Sequence, residues 1–247
     1  MADEPELIRA DWPVSPRVRA FCTTRRGGVS RPPHDTFNLG AHTGDDPDDV
    51  AENRRRLAEA AELPGEPRWL RQVHGVEVAA AHEIAGPVAA DAAWTGRSGV
   101  VCAVLTADCL PVLLAAQDGS VVAAVHAGWR GLVGGVVEAT VAALASRARG
   151  PLSAWLGPAI GPDAFQVGAE VREAFLERDS GAGACFLPDT GGRYRADLFA
   201  LTRRRLYACG VVSVRGGGVC TWSSPERFFS YRRDGETGRM ATLIWLV

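Results

Sequence analysis

Apolar positions along this chain follow two rhythms, one of strand length and one of helical spacing. Short apolar runs occupy residues 100–105, 112–115 and 120–125, and each predicts a strand. Gln117-Asp118-Gly119-Ser120 lies between the last two and reads as a hairpin turn. With Asp118-Gly119 as the two-residue loop, the register sets His126 opposite Pro111. Cys109 then falls on the diagonal from His126, where neighbours are about 7–8 Å apart at the α-carbons.

Helical spacing marks residues 46–62, with Asp46 as N-cap, Pro47 at the first helical position, and Val50, Leu57 and Ala61 on one side. Pro64 ends that helix, and Arg54-Arg55-Arg56 reads as a solvated face on which Arg54 alone is positioned to turn inward. Beyond His126 a glycine turn leads to Leu132, Val133, Val136, Val137, Thr140, Val141 and Leu144, the spacing of one helix packed on a sheet. Further helices are predicted near 168–179 and 197–208, the second capped by Asp197 and stopped by Gly210. The apolar segment 241–247 predicts a strand inside a sheet. No repeat and no low-complexity linker divides residues 1–247, so one domain is expected.

Composition narrows the chemistry. All 27 basic residues are arginine, and against 29 acids they leave a formal charge of -2. No basic nucleic-acid footprint follows. The absence of lysine excludes a P-loop and Schiff-base chemistry. The six cysteines include no C-x-x-C pair, which removes zinc ribbons, thioredoxin-type redox sites and the paired-cysteine site of nucleobase deaminases. An acidic start at Asp3-Glu4, and no apolar run near the ~18 residues of a membrane span, lead to an expected cytoplasmic address, no membrane partner and reduced thiols.

Two of the five histidines stand out. His74 is followed by Gly75, which leaves room for a ligand, and His126 ends an apolar run before a glycine turn. Cys109 ends another run, in Thr106-Ala107-Asp108-Cys109. Two imidazoles and a thiolate are a set that zinc accepts, with the fourth tetrahedral position left open as in catalytic sites. Spacing alone leaves three readings: a metal site, a thiol–imidazole dyad with Cys109 as nucleophile and His126 as base, and ordinary buried packing.

Asp108 is a further catalytic candidate, with a fold-stabilising role as its alternative. Arg130 stands beside free N–H groups at a predicted helix start, a setting suited to phosphate. Arg25 and Arg232 are candidates to assist it, with structural ion pairs as the competing reading. Asn38 reads as a turn residue or a ligand contact, while His34 and His42, in a loop rich in Gly, Pro and Asp, are expected to be solvated.

At these residues the chain resembles the bacterial laccase-domain family, whose members are also called polyphenol oxidases or multi-substrate purine nucleoside phosphorylases. The likeness rests on Arg71-Gln72-Val73-His74-Gly75, on Thr106 to Val112, on His126-Ala127-Gly128-Trp129-Arg130-Gly131, on Leu156 to Pro162 and on Phe228 to Asp234. It implies a single α+β domain with mixed sheets flanked by helices, comparable to cytotoxic necrotizing factor deamidases. It also implies a zinc ion on His74, Cys109 and His126. The implied reaction is phosphorolysis of adenosine, inosine and methylthioadenosine to a base and a sugar 1-phosphate, with adenosine deamination on the same scaffold. Purine nucleosides and phosphate are then the partners, for a monomer or a small homo-oligomer.

The family's names disagree, and the residues bear on the disagreement. A multicopper cluster needs many imidazoles, commonly in His-x-His pairs, and five histidines with no such pair do not supply it. A single copper at the same three ligands is the lesser metal alternative, with copper-dependent polyphenol oxidation as its activity. An amidase built on Cys109 and His126, or a non-catalytic nucleoside sensor, complete the competing readings.

Overall fold

The computed structural model describes residues 4–86 and 88–247; the start of the acidic N-terminal segment, residues 1–3, lies outside them. The architecture is α+β. Its largest sheet is mixed, with strand order Ser213–Gly216, Leu152–Leu156, Leu110–Ala116, Val122–Ala127, Ala92–Thr95, Val78–Ala80. A second, antiparallel sheet runs Leu7–Arg9, Val18–Thr23, Met240–Leu246, Cys102–Thr106. A three-stranded antiparallel sheet and a parallel pair of short strands, Leu70–Arg71 with Val88–Ala89, complete the set.

Leu110–Ala116 is buried at all seven positions because both of its faces are covered. Leu110, Val112, Leu114 and Ala116 face a core shared with helices Val136–Ala145 and Leu198–Ala208, while Leu113 and Ala115 face the antiparallel sheet. A strand buried on both sides reads as a continuous apolar run rather than an alternating one, as this segment does. The hairpin forms in the expected register, with Pro111 paired to His126 and Gly119 at φ +75°. Asp46 caps the helix Pro47–Ala60 by accepting from Asp48 N, and Asp197 caps Leu198–Ala208 through Ala200 N. The terminal strand Met240–Leu246 is buried throughout and lies between two neighbours, as its apolar sequence predicts.

Two expectations are corrected. The helix after His126 is two helices, Trp129–Gly134 and Val136–Ala145, because Gly135 adopts φ +107° and closes the first with bonds to the carbonyls of Gly131 and Leu132. Glycine takes this left-handed C-terminal position without a Cβ penalty, so the Gly134-Gly135 pair overrides a favourable apolar spacing. His34 is buried rather than solvated, with Nε2 3.1 Å from the Thr43 carbonyl oxygen and Nδ1 3.7 Å from Asp45.

Candidate metal centre and its cleft

Cys109 stands where the chain crosses from one large sheet to the other, between strands Cys102–Thr106 and Leu110–Ala116. His126 comes from the neighbouring strand Val122–Ala127, and His74 from the turn after Leu70–Arg71. One ligand atom from each of the three lies within 4.8 Å of the others, and Cys109 Sγ is 3.9 Å from His74 Nε2. The two imidazoles meet edge to face with centroids 4.8 Å apart. Zinc bonded at 2.0–2.3 Å separates its ligands by about 3.4–3.8 Å, so a contraction of roughly 1 Å at the widest pair completes the geometry. Two nitrogens and a sulfur suit zinc, and one divalent ion saturates this donor set short of its fourth position.

The cluster is held from behind by Asp91, which the sequence reading passed over. Asp91 is fully buried; its Oδ1 accepts from His74 N at 2.9 Å, and its Oδ2 from Gly75 N at 2.7 Å and Val73 N at 3.2 Å. His126 Nδ1 lies 2.8 Å from Asp91 Oδ1, which makes Nδ1 the protonated nitrogen and leaves Nε2 for the cluster. These bonds also restrain His74 at φ +60°, a left-handed conformation unusual outside glycine. The available signal was an acid embedded in an apolar, alanine-rich stretch, Ala90-Asp91-Ala92-Ala93.

The glycine that admits the cluster is Gly128 rather than Gly75. A Cβ on Gly128 would lie 2.9 Å from His74 Cδ2 and 3.0 Å from Cys109 Sγ, whereas one on Gly75 would meet Asp91 Oδ2 at an ordinary 3.5 Å. A Cβ on Gly131 would lie 2.9 Å from the Gly75 carbonyl oxygen, so the motif's second glycine packs against the His74 turn.

Charge is strongly coupled here. Burial pushes the Cys109 thiol up, but the His126 charge and hydrogen bonds from both imidazoles outweigh it and bring it down to about 6. Burial pushes His126 down, and the Cys109 thiolate and the Asp91 carboxylate overcome it and raise it to about 9. Without a metal the pair therefore favours thiolate and imidazolium. Cys22, buried and remote from such charge, is pushed up to about 12, and Cys102 is likewise pushed up by burial.

The three ligands line a cleft of about 550 Å³. Arg130, Arg232 and Arg239 contribute cationic walls, and Trp129, Phe165 and Tyr231 aromatic ones. Among the described residues Asp108 is the sole acid of the lining, and it is already engaged: Thr221 Oγ1 donates to Oδ1 at 2.6 Å, while Ser230 Oγ and Arg232 N donate to Oδ2 at 3.0 and 2.7 Å. The residue leaves extended geometry, at φ +87°, to make these contacts. His42 is exposed as expected but one side of it borders the cleft, and the partial desolvation there, together with nearby Arg239 and Arg54, lowers its proton affinity.

Arg25 and Asn38 do not line this cleft. Arg25 pairs with Asp35 at 3.1 Å and donates to the Asp35 and Pro225 carbonyls. Asn38 is buried and serves a turn, donating to Thr43 Oγ1 and Asp45 Oδ2 and accepting from Gly40 N and Arg239 N. The helix beginning beside Arg130 is only Trp129–Gly134, so little helix dipole reaches that position. The arginine side chains, rather than a helix start, give the cleft its positive character.

Fold and site together define an α+β protein with a three-donor candidate metal centre in an arginine-walled cleft. The chain belongs to the family described as multi-copper polyphenol oxidoreductase laccase, whose family model matches residues 19–247. It is 53% identical over 246 residues to Purine nucleoside phosphorylase YfiH of Escherichia coli, covering 98% of this chain and 99% of that protein. It is 54% identical over 240 residues to Purine nucleoside phosphorylase PA4543 of Pseudomonas aeruginosa, covering 97% and 98% respectively. Among solved structures, Neisseria meningitidis protein NMB0706 superposes with a TM-score of 0.92 at 46% identity, covering 97% of this chain and 98% of that one. YlmD from Geobacillus stearothermophilus does so with a TM-score of 0.87 at 33% identity, covering 94% and 92%. The multi-copper description does not match the donors: His74, Cys109 and His126 are the one group of three or more potential metal-binding side chains among the described residues.

Proposed function

We propose that this chain is a zinc-dependent purine nucleoside phosphorylase that also deaminates adenosine. The observation that carries the proposal is the convergence of His74, Cys109 and His126 in a cleft with cationic and aromatic walls and no free acid, together with relatives that bear the phosphorylase name. Zinc at these three side chains would supply a Lewis acid and an open coordination position. The protein's own residues bind and orient. Trp129, Phe165 and Tyr231 offer faces and edges against which a purine packs, and Arg130 and Arg232 hold phosphate near the anomeric carbon. Positive walls stabilise both the incoming anion and the purine as it leaves with its bonding electrons. Asp108 acts by positioning, because its bond to Arg232 N fixes the segment that carries one of these guanidinium groups. We place the reaction in the cytoplasm; no helix among the described residues is long and apolar enough to cross a membrane.

The test is a product assay of metal-loaded protein on adenosine and inosine, with and without phosphate, repeated for Cys109→Ala. Phosphate-dependent release of adenine and hypoxanthine, lost in the variant, is expected. Base release without phosphate, or none from zinc-loaded protein, overturns the proposal.

The coupling of Cys109 to His126 favours one second reading, a cysteine hydrolase acting on an amide. Chelation separates the two: a thiol hydrolase keeps its activity without metal and loses it to alkylation, whereas the phosphorylase is silent after chelation and returns with zinc.

A further inference from the structure

Arg239 immediately precedes the buried strand Met240–Leu246, and its side chain lines the same cleft as the metal-ligand cluster. It is held before any ligand arrives. Its Nη1 donates to the carbonyls of Thr237 and Gly238 at 2.7 and 2.9 Å, and its backbone N donates to Asn38 Oδ1 at 2.8 Å. The aliphatic stem packs where Gly40 has no side chain, since a Cβ there would lie 2.8 Å from Arg239 Cγ.

Two N–H-bearing atoms, Nε and Nη2, make no hydrogen bond among the described residues, and no carboxylate there lies within ion-pair distance of this guanidinium. The contrast with other arginines is direct: Arg25 sits on Asp35, Arg204 on Asp179, Arg227 on Glu6 and Arg233 on Asp234. Cys109 and Asp108 attract Arg239 from nearby without a hydrogen bond to it, and a half-buried cation with no contacting counter-ion is costly unless an anion joins it.

The other two cleft arginines are less prepared. Arg130 is exposed and lies over the ring of its neighbour Trp129 at 4.5 Å. Arg232 is exposed as well, and a single bond from Nη1 to the Gln166 carbonyl anchors it where two anchor Arg239. Fixing a group in its bound position before the ligand comes removes an ordering cost from binding. A guanidinium with one edge anchored presents its remaining N–H groups as a fork that matches two oxygens of a tetrahedral anion.

We propose that Arg239 is the principal anion-binding residue of the cleft, taking the phosphate that the phosphorylase reading requires. The assignment rests on that reading for the identity of the anion, and on the unpaired, pre-positioned guanidinium for the site itself. Arg130 and Arg232 then close on an anion already held by Arg239.

Arg239→Met and Arg239→Lys test this in the zinc-loaded, full-length protein, with metal content, thermal midpoint and kinetics measured side by side. Arg239→Met is expected to raise the KM for phosphate about tenfold to a hundredfold, the loss of a charge-assisted hydrogen-bond pair, with the KM for inosine and the metal content little changed. Arg239→Lys recovers part of the loss, because it restores the charge without the fork.

A readout independent of turnover is the rise in thermal midpoint on adding inorganic phosphate, expected in the unaltered protein and absent in Arg239→Met. An unchanged phosphate KM, an equal thermal shift in both proteins, or no shift in the unaltered protein each overturns the assignment. A phosphate-induced shift that needs Arg239, in a protein releasing no base from nucleosides, keeps the anion site and refutes the phosphorylase reading instead. If Arg239→Met does not fold, Arg239→Gln carries the same comparison.

Discussion

Asp91 and His126 face each other across the antiparallel pair of Ala92–Thr95 with Val122–Ala127, joined by His126 N to the Asp91 carbonyl at 2.7 Å and by His126 Nδ1 beside Asp91 Oδ1 at 2.8 Å. One carboxylate thus sets the tautomer of His126 and, through three backbone N–H groups, the turn that carries His74. Partners of this kind behind metal-bound imidazoles typically contribute 10–100-fold in affinity. Asp91→Asn is therefore expected to lower zinc affinity by about that factor, read by competition with a chromogenic chelator. Unaltered affinity would mean that His126 is oriented by its strand alone.

Gly128 gives a second handle on the same cluster. Its missing Cβ leaves room for His74 Cδ2 and Cys109 Sγ, which would otherwise stand 2.9 and 3.0 Å away. Gly128→Ala is expected to displace one ligand and leave the protein folded but substoichiometric in zinc, as measured by elemental analysis beside circular dichroism. Gly75→Ala, by contrast, meets only ordinary contacts, and its zinc content stays near that of the unaltered protein.

These two residues also show what a chain reveals before it is folded. The Asp118-Gly119 turn makes the Pro111–His126 register readable, since a two-residue loop determines every pair of the hairpin. Cys109 and His126 could accordingly be brought near each other from sequence. Asp91 could not be placed, because its partner lies on a strand reached by no short turn. The break at Gly135 lay in plain view as a glycine pair, yet the apolar spacing on both sides of it argued for one helix. Arg25 and Arg239 look alike in sequence, each with a glycine and a threonine within two residues. Only tertiary structure gives one of them Asp35 and leaves the other facing a cleft.

Metal-free protein should show Cys109 as its most acidic thiol, ahead of partly exposed Cys220, which hydrogen bonds lower less. Cys109 is brought down to about 6, so its thiolate fraction, and with it the rate of iodoacetamide alkylation, rises as pH increases through that value and levels off near neutrality. An ordinary thiol rises through about 8.5 instead. Cys22, fully buried and pushed up to about 12, stays unmodified until unfolding. Mass spectrometry of peptides from chelated protein at several pH values checks both outcomes, and zinc added beforehand is expected to protect Cys109.

Asp108 separates positioning from proton transfer. Both of its oxygens accept hydrogen bonds, from Thr221, Ser230 and Arg232 N, and these draw the 221–232 segment over the cleft wall. A carboxylate engaged on all these sides is poorly placed to exchange protons with a substrate. Asp108→Ala leaves two buried hydroxyls, of Thr221 and Ser230, and a backbone N–H without their acceptor, at a cost of about 2–4 kcal/mol in stability. It is expected to speed hydrogen exchange through 221–232 and to raise the phosphate KM through a loosened Arg232. Asp108→Asn, which keeps one acceptor oxygen and the residue's shape, is expected to recover much of both. If Asp108→Asn were instead folded, zinc-loaded and normal in phosphate KM but inactive at every pH, the carboxylate would be a proton carrier and the positioning role would fail.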